Sequence, residues 1–566
     1  MNALRELIIS NFKDAAIIDN FRIGANGELY KRDGCICLGQ FDSKVRGAVS
    51  DSDTVYVVSG DKFYTIHDGT VSLKGTLEES VFSSEDEKVT MFVYANKAFV
   101  LGGNNYYRYD KDTGTFGIVE GYAPIIDTVD STNISETIIE SCNLLTSTVR
   151  KRLTVISDQA GYETDEDAAE VNWVKIDGVL LSSDEYYFSI LTGPKKVILA
   201  NSSKYSGGEG KMEIEFTLKP TLHIPDRMKF FGCTKSFVFE TESGPVLLLY
   251  GNDSLTPGLV LYSHFPADPT DSYGALDYFI KGHEFTIGDG TKQIRTITRW
   301  GERVVVVTSE GIYELTGTVL SNGYMRFSTS PIVPEIGTSE YSGAVAFEDR
   351  LYLANENGLF SVSYNSITSK YETSQIEIDP RFIASRSDYK HIKLHINRSR
   401  SELWCCLENT VGVYNIKYGV WYHFSGFNTD ILFSCNSATA FSSGKGINLF
   451  DEGAYDDAGV GFDAVIQSKN INFDNVFSEK TIYGFGAAFE RRDGAILECT
   501  IENNKGNVFS VAVESEKGGK TSPVVSSTHA RLGNSAYIIY RLISPSYAAP
   551  ANVREIMLRY RVGGGA

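Results

Sequence analysis

Proline, basic charge and long apolar runs are what this sequence has least of. Only 14 Pro stand among 566 residues, against 52 Gly, 32 Phe and 32 Tyr. That balance favours many short strands joined by tight turns. No apolar run approaches the ~18 residues needed to cross a bilayer; the runs present, such as Val304 to Val307, are strand-sized. The opening "MNALRELIISNFKDAA" carries acidic residues and no sustained apolar stretch, so no signal peptide is expected. The formal charge of −19 argues against a broadly basic face that grips phosphates but not against proximity to DNA, since an acidic wall would let a duplex slide past. Eight Cys in so long a chain do not make a disulfide scaffold. Cys35 and Cys37, or Cys405 and Cys406, lack the CxxC spacing of zinc and redox sites, so all eight are expected as free thiols.

Enzyme signatures are also missing. There is no HExxH, no GxSxG and no GxGxxG after a strand. "SSGKG" at Ser442 to Gly446 lacks the earlier Gly and the following Ser or Thr of a phosphate loop, and reads as a glycine turn. "YDKDTGTF" fits an Asp-box at Asp112 and Gly114 only. His391 and His395 form the closest His pair and read as packing or exposed residues on a strand. From these absences we expect no enzyme, no metal, no cofactor and no catalytic residue.

What is present is a repeat. Five stretches beginning at Thr54, Lys97, Arg303, Arg350 and Glu402 superimpose by apolar pattern, each a β-hairpin. Three are followed by a Tyr-Asx pair with an aromatic seven positions after the Tyr: Tyr109-Asp110 with Phe116, Tyr364-Asn365 with Tyr371, and Tyr414-Asn415 with Trp421. In each, the Asx side chain is expected to cap the turn and the two rings to pack across the hairpin between neighbouring units. A further strand upstream and one downstream make four antiparallel strands per unit. First strands fall near residues 46, 88, 228, 292, 343, 392 and 431, mostly at the ~40–50 residue spacing of propeller blades.

The interval from 88 to 228 is too long for one blade. Residues 127–222 supply the excess as an inserted β-sandwich, in which Met212, Ile214, Phe216 and Leu218 alternate with polar neighbours. Its acidic stretch from Tyr162 reads as a solvated loop, and Trp173, Tyr186 and Tyr187 read as core aromatics. The expected organisation is therefore all-β: a propeller of about six or seven four-stranded blades, with first blades in 1–126, the insertion in 127–222, remaining blades in 223–455 and a C-terminal β domain or closing blade in 456–566. Helical periodicity is scarce, the first ~12 residues being the best candidate for a short helix.

Several segments taken in order carry a resemblance. They are "IIDNFRIGANGELYKRDGCICLGQF" (17–41), the hairpins "VRGAVSDSDTVYVVSGDKFYTI" and "EKVTMFVYANKAFVLGGNNYYRYD", the passage "ALDYFIKGHEFTIGDGTKQIRTITRWGERVVVVTSEGIYELTG" and the closing "REIMLRYRVGGG". Over about two-thirds of its length the chain resembles the head-to-tail stabilisation and tail nozzle (stopper) proteins of short-tailed bacteriophages, the packaged-DNA stabilisation proteins among them. That resemblance implies a virion protein, made in the host cytoplasm, which forms a homo-oligomeric ring, commonly a hexamer, below portal and adaptor among other tail proteins. The ring retains packaged double-stranded DNA and conducts it at ejection, without sequence-specific binding or a membrane span. The alternative from a different class is a propeller-based adhesin or receptor-binding tail protein that recognises glycans.

Overall fold

The computed structural model describes residues 5–562 except 79, 120, 124, 128–142, 157–158, 166, 191–194, 206–209, 220–223, 266–275, 321–323, 379–385, 408–409, 427, 474–479, 490–493 and 515–531. Among the described residues the chain is a β-propeller of seven four-stranded antiparallel blades. Blade 1 runs Val45–Asp51, Thr54–Ser59, Lys62–His67 and Thr70–Thr76. The first strands of blades 2 to 7 are Thr90–Tyr94, Lys235–Thr241, Ile294–Trp300, Ala344–Phe347, Lys393–Asn397 and Ile431–Cys435. All but one lie within two residues of the position expected from the repeat. The exception is blade 3, where the helix Ile224–Phe231 occupies the expected start and the strand begins at Lys235. The second strands are the most apolar, as strands covered on both faces must be: Val55 to Val58, Ala98 to Leu101 and Val305 to Val307 are all at most 4% exposed.

Blade 7 is completed from far away in sequence. Its first three strands end at Asp451, and the fourth is Gly34–Gln40, antiparallel to Gly446–Asp451. The packing there leaves no room for a side chain at Gly34: a Cβ would stand 2.0 Å from the Asp456 carbonyl oxygen.

The insertion is a two-sheet sandwich. Thr148–Thr154, Lys211–Leu218 and Ala168–Ile176 are central in one sheet; Lys196–Leu199 is central in the other. Met212, Ile214, Phe216 and Leu218 are at most 1% exposed in its core. The acidic stretch departs from the expected solvated loop. Asp165 is 5% exposed, and the buried Lys151 ammonium donates to the Glu163 carbonyl at 2.7 Å. Burial holds Lys151 down to about 8, with Glu163 and Asp165 opposing that shift.

The C-terminal β domain draws on both ends of the sequence. Arg5–Ile9 pairs antiparallel with Val553–Val562, as a strand and not the expected helix. Leu7 and Ile9 point into the core while Ile8 is 58% exposed, a period of two that only a strand gives. Ile17–Asp19 lies between Val420–Phe424 of blade 6 and Ala464–Gln467, so the blade 6 sheet continues into this domain as nine strands. Residues 5–31 thus belong with 456–562 rather than with the first blades. By contact density, residues 1–60, 65–72 and 338–566 form one compact unit, and 61–64 with 73–337 another. Seven cysteines in the described residues are free thiols, and Cys142 lies outside those residues.

Candidate functional site

Each blade begins with a connector that delivers the chain to its first strand, and in the first unit these connectors converge. The first strand of blade 6 lies beside those of blades 5 and 7, and that of blade 7 beside that of blade 1. Where these strands start there is a cavity of about 820 Å³. Glu340 comes from before blade 5, Asp388 and His391 from before blade 6, Asn428 to Asp430 from before blade 7, and Lys44 from before blade 1.

Backbone bonds fix this rim. The Leu394 amide donates to the Ser342 carbonyl at 2.7 Å, tying blade 6 to the connector of blade 5. Lys393 Nζ reaches the Asp430 carbonyl at 3.5 Å, and Asp430 Oδ2 accepts from the Gly444 amide at 3.2 Å. Gly444, at φ +58°, passes its own carbonyl to the Val45 amide at 3.0 Å. The "SSGKG" segment is thus a left-handed glycine turn that joins blade 7 to blade 1.

The walls mix charge of both signs. Glu340, Asp388 and Asp430 line the cavity together with Lys44, Lys393, His391, Asn428 and Thr429. Thr429 is only 3% exposed, and its hydroxyl has no oxygen or nitrogen partner. Its polar neighbour is the Cys406 thiol, which burial pushes up to about 12, so this sulfur is no nucleophile at neutral pH. His391 ends a 3-10 helix, Arg386–His391, and is not on a strand. His395 lies on the strand Lys393–Asn397, its Nε2 3.3 Å from Thr439 Oγ1, and burial lowers it to about 4. No group of three or more His, Cys, Asp or Glu side chains suited to a metal ion occurs among the described residues.

A second cavity of about 360 Å³ meets the first at Thr410 and is lined by Ile17, Asp19, His423, Phe424 and Ser425. Ser425 Oγ donates to Asp19 Oδ2 at 2.9 Å, while Oδ1 is buried without a partner. Burial raises the Asp19 carboxyl above its usual range.

The nine repeat residues lie on blades 2, 5 and 6. Tyr109 is directly opposite Phe116, Tyr364 opposite Tyr371, and Tyr414 opposite Trp421. The ring pairs of blades 5 and 6 are 5.2 Å apart; in blade 2, Phe63 of blade 1 stacks on Phe116 at 4.5 Å and lies 5.4 Å from Tyr109. Asp110 Oδ1 accepts from the Asp112 amide at 3.0 Å and Asn365 Oδ1 from the Ile367 amide at 2.9 Å. In blade 6 the bond is one residue longer, from the Tyr418 amide to Asn415 Oδ1 at 3.0 Å. Trp421 Nε1 donates at 2.8 Å to the Glu377 carbonyl, just after the last strand of blade 5. Apart from His391 and Cys406, for which no ligand role was expected, the residues lining the larger cavity were not singled out from the sequence. They are isolated polar residues of no motif, and their shared place just before first strands was the one signal available.

No family model matches the chain, and no curated protein matches it. Solved structures with a similar fold include an exo-β-1,3-galactanase from Phanerochaete chrysosporium with galactose, at 11% identity over 85% of this chain and 98% of that one, TM-score 0.17. The extracellular domain of a putative one component system from B. thetaiotaomicron matches at 11% over 90% of each chain, TM-score 0.19. The WD40 domain of SCAP from fission yeast matches at 8% over 79% and 97%, TM-score 0.25. Likenesses this distant carry no argument about activity. They do correct the expectation that the chain is no enzyme: with glycoside hydrolases among the similar structures, absent motifs do not establish that.

Proposed function

We propose that the chain is a structural virion protein of a short-tailed bacteriophage, a nozzle or stopper that assembles as a ring, with six copies favoured, at the head-to-tail junction. In this reading it docks on portal, adaptor and other tail proteins, retains packaged double-stranded DNA and conducts it at ejection. The observation that carries the reading is the double tie of the chain. Arg5–Ile9 is zipped to Val553–Val562, and Gly34–Gln40 closes blade 7. A load along these strands meets several backbone hydrogen bonds at once, which suits a part that must resist pressure. The ordered family-like segments and the charge of −19, which disfavours adhesion of a passing duplex, support it further. Native mass spectrometry and electron microscopy of the purified chain, alone and with connector rings, test it. Ring assembly or docking is expected; a strict monomer without affinity for any connector overturns it.

A second reading is a glycan-binding adhesin or receptor-binding protein. It is favoured by the aromatics expected in the sandwich core: Tyr187 is 56% exposed, and Trp173 is partly exposed with Lys175 Nζ 4.3 Å from its ring centroid. Exposed rings offer stacking faces to sugars. Glycan-array binding lost in Tyr187→Ala supports this reading, and an array without a hit removes it.

A further inference from the structure

We infer that the larger cavity, at the head of blades 5, 6, 7 and 1, is a binding site for a neutral, hydroxyl-rich ligand of saccharide type. The inference stands on this cavity alone and does not require the nozzle reading.

Size comes first. About 820 Å³ lies within the range of small-molecule pockets, and four connectors supply its walls. Charge comes next. Glu340, Asp388 and Asp430 set three carboxylates against the ammonium groups of Lys44 and Lys393, so neither a bare anion nor a bare cation matches the lining. No metal-type cluster is formed among the described residues. A ligand that donates and accepts at alternate positions does match. Each sugar hydroxyl can give its proton to a carboxylate and accept one from a lysine or from the Asn428 amide.

The decisive group is Thr429. The residue lines the cavity, and its hydroxyl is buried with no oxygen or nitrogen partner. A buried hydroxyl without an oxygen or nitrogen partner is destabilising, and the structure surrounding Thr429 offers it only the Cys406 thiol, a weak hydrogen-bonding group. A ligand hydroxyl seated in the cavity supplies what the fold withholds. No Phe, Tyr or Trp is among the lining residues, so recognition is chiefly by hydrogen bonds and affinity is expected near ~1 mM, without their stacking contribution.

The test is saturation-transfer NMR of the full chain with a panel of neutral gluco-, galacto- and manno-oligosaccharides, with inorganic phosphate as the anionic control. Thr429→Val keeps the shape and removes the hydroxyl; Asp388→Asn keeps the size and removes the charge. We expect saturable binding of at least one neutral saccharide and none of phosphate. Both variants should weaken it about five- to tenfold, while the melting temperature of Thr429→Val stays equal or rises. Ile367→Ala, on an exposed turn of blade 5 outside the lining, is the control that leaves binding unchanged, while loss in Tyr187→Ala alone assigns the signal to the sandwich aromatics. The inference is overturned if no neutral saccharide saturates, if phosphate binds instead, if both cavity variants bind as the wild type does, or if only Tyr187→Ala loses the signal.

Discussion

At the residue scale, the three Tyr-Asx turns share a feature their sequences only half disclose. Four residues after the Asx, each chain turns left-handed: Gly114 at φ +70°, Ser369 at +53° and Gly419 at +64°. Two copies use Gly and one uses Ser, which carries a Cβ strain there of roughly 1 kcal/mol. Ser369→Gly is therefore expected to stabilise by up to ~0.5 kcal/mol after the added freedom of the unfolded chain is subtracted, and Gly419→Ala to destabilise by about 1 kcal/mol or more. Urea denaturation of both variants checks the pair, and a stabilised Gly419→Ala would refute the account. A larger effect is expected at Glu402, 1% exposed, which accepts from Arg22 Nε at 2.8 Å, Tyr422 Oη at 2.6 Å and Trp404 Nε1 at 3.1 Å. Glu402→Ala strands a buried guanidinium whose other carboxylate partner is Asp33, 2.6 Å from Nη1. The expected loss is ~3 kcal/mol, read by chemical denaturation.

At the scale of elements, blade 3 buries a pair of imidazoles. His264 follows its third strand and His283 precedes its fourth; their rings are 4.8 Å apart, boxed by Tyr262, Tyr278 and Tyr324. Both Nδ1 atoms are buried without a partner, and burial lowers each group to about 4, the neighbouring ring adding to the shift of His283. Folding thus keeps these bases neutral, while the unfolded chain takes up protons near 6.5. Their contribution is intact above pH 6.5 and is lost as pH falls from 6.5 towards 4, by at most ~3 kcal/mol per imidazole. His395 behaves alike in blade 6. Melting temperature should fall steeply across that window, and His264→Phe with His283→Phe should flatten the fall; a wild-type curve level from pH 7 to 4.5 would contradict this.

The sheets themselves were readable because their signals are local. Hairpins such as Arg350–Asn355 with Gly358–Asn365 pair neighbours in sequence through a turn whose residues name it. Pairings across hundreds of residues leave no such mark. Ile17–Asp19 has nothing in its three residues to say that it will lie beside Val420–Phe424. The larger cavity was equally hidden, because Lys44, Glu340, Asp388 and Asp430 meet only after four connectors have been set side by side.

For the whole molecule, the closing strand and the amino-terminal pairings make one prediction. Removing residues 1–40 takes away the fourth strand of blade 7 together with Phe21, Ile23 and Leu29, each at most 3% exposed in the core of the C-terminal domain. Burial of such side chains is worth about 1.5–3 kcal/mol apiece, so the truncated chain should aggregate or be cleaved rapidly in blade 7 and beyond. Limited proteolysis and size-exclusion chromatography check this; a monodisperse, protease-resistant product would refute it. A milder probe is Gly34→Ala, which drives a methyl into the Asp456 backbone.

The same closure sets an order of events on the ribosome. Gly34–Gln40 emerges early, yet its partner Gly446–Asp451 is translated some four hundred residues later. Until then the nascent chain holds out an unpaired edge that any neighbouring polypeptide can capture. Maturation of this protein therefore waits on the completion of synthesis, and its yield in a cell should depend on holdase chaperones that shield the waiting segment.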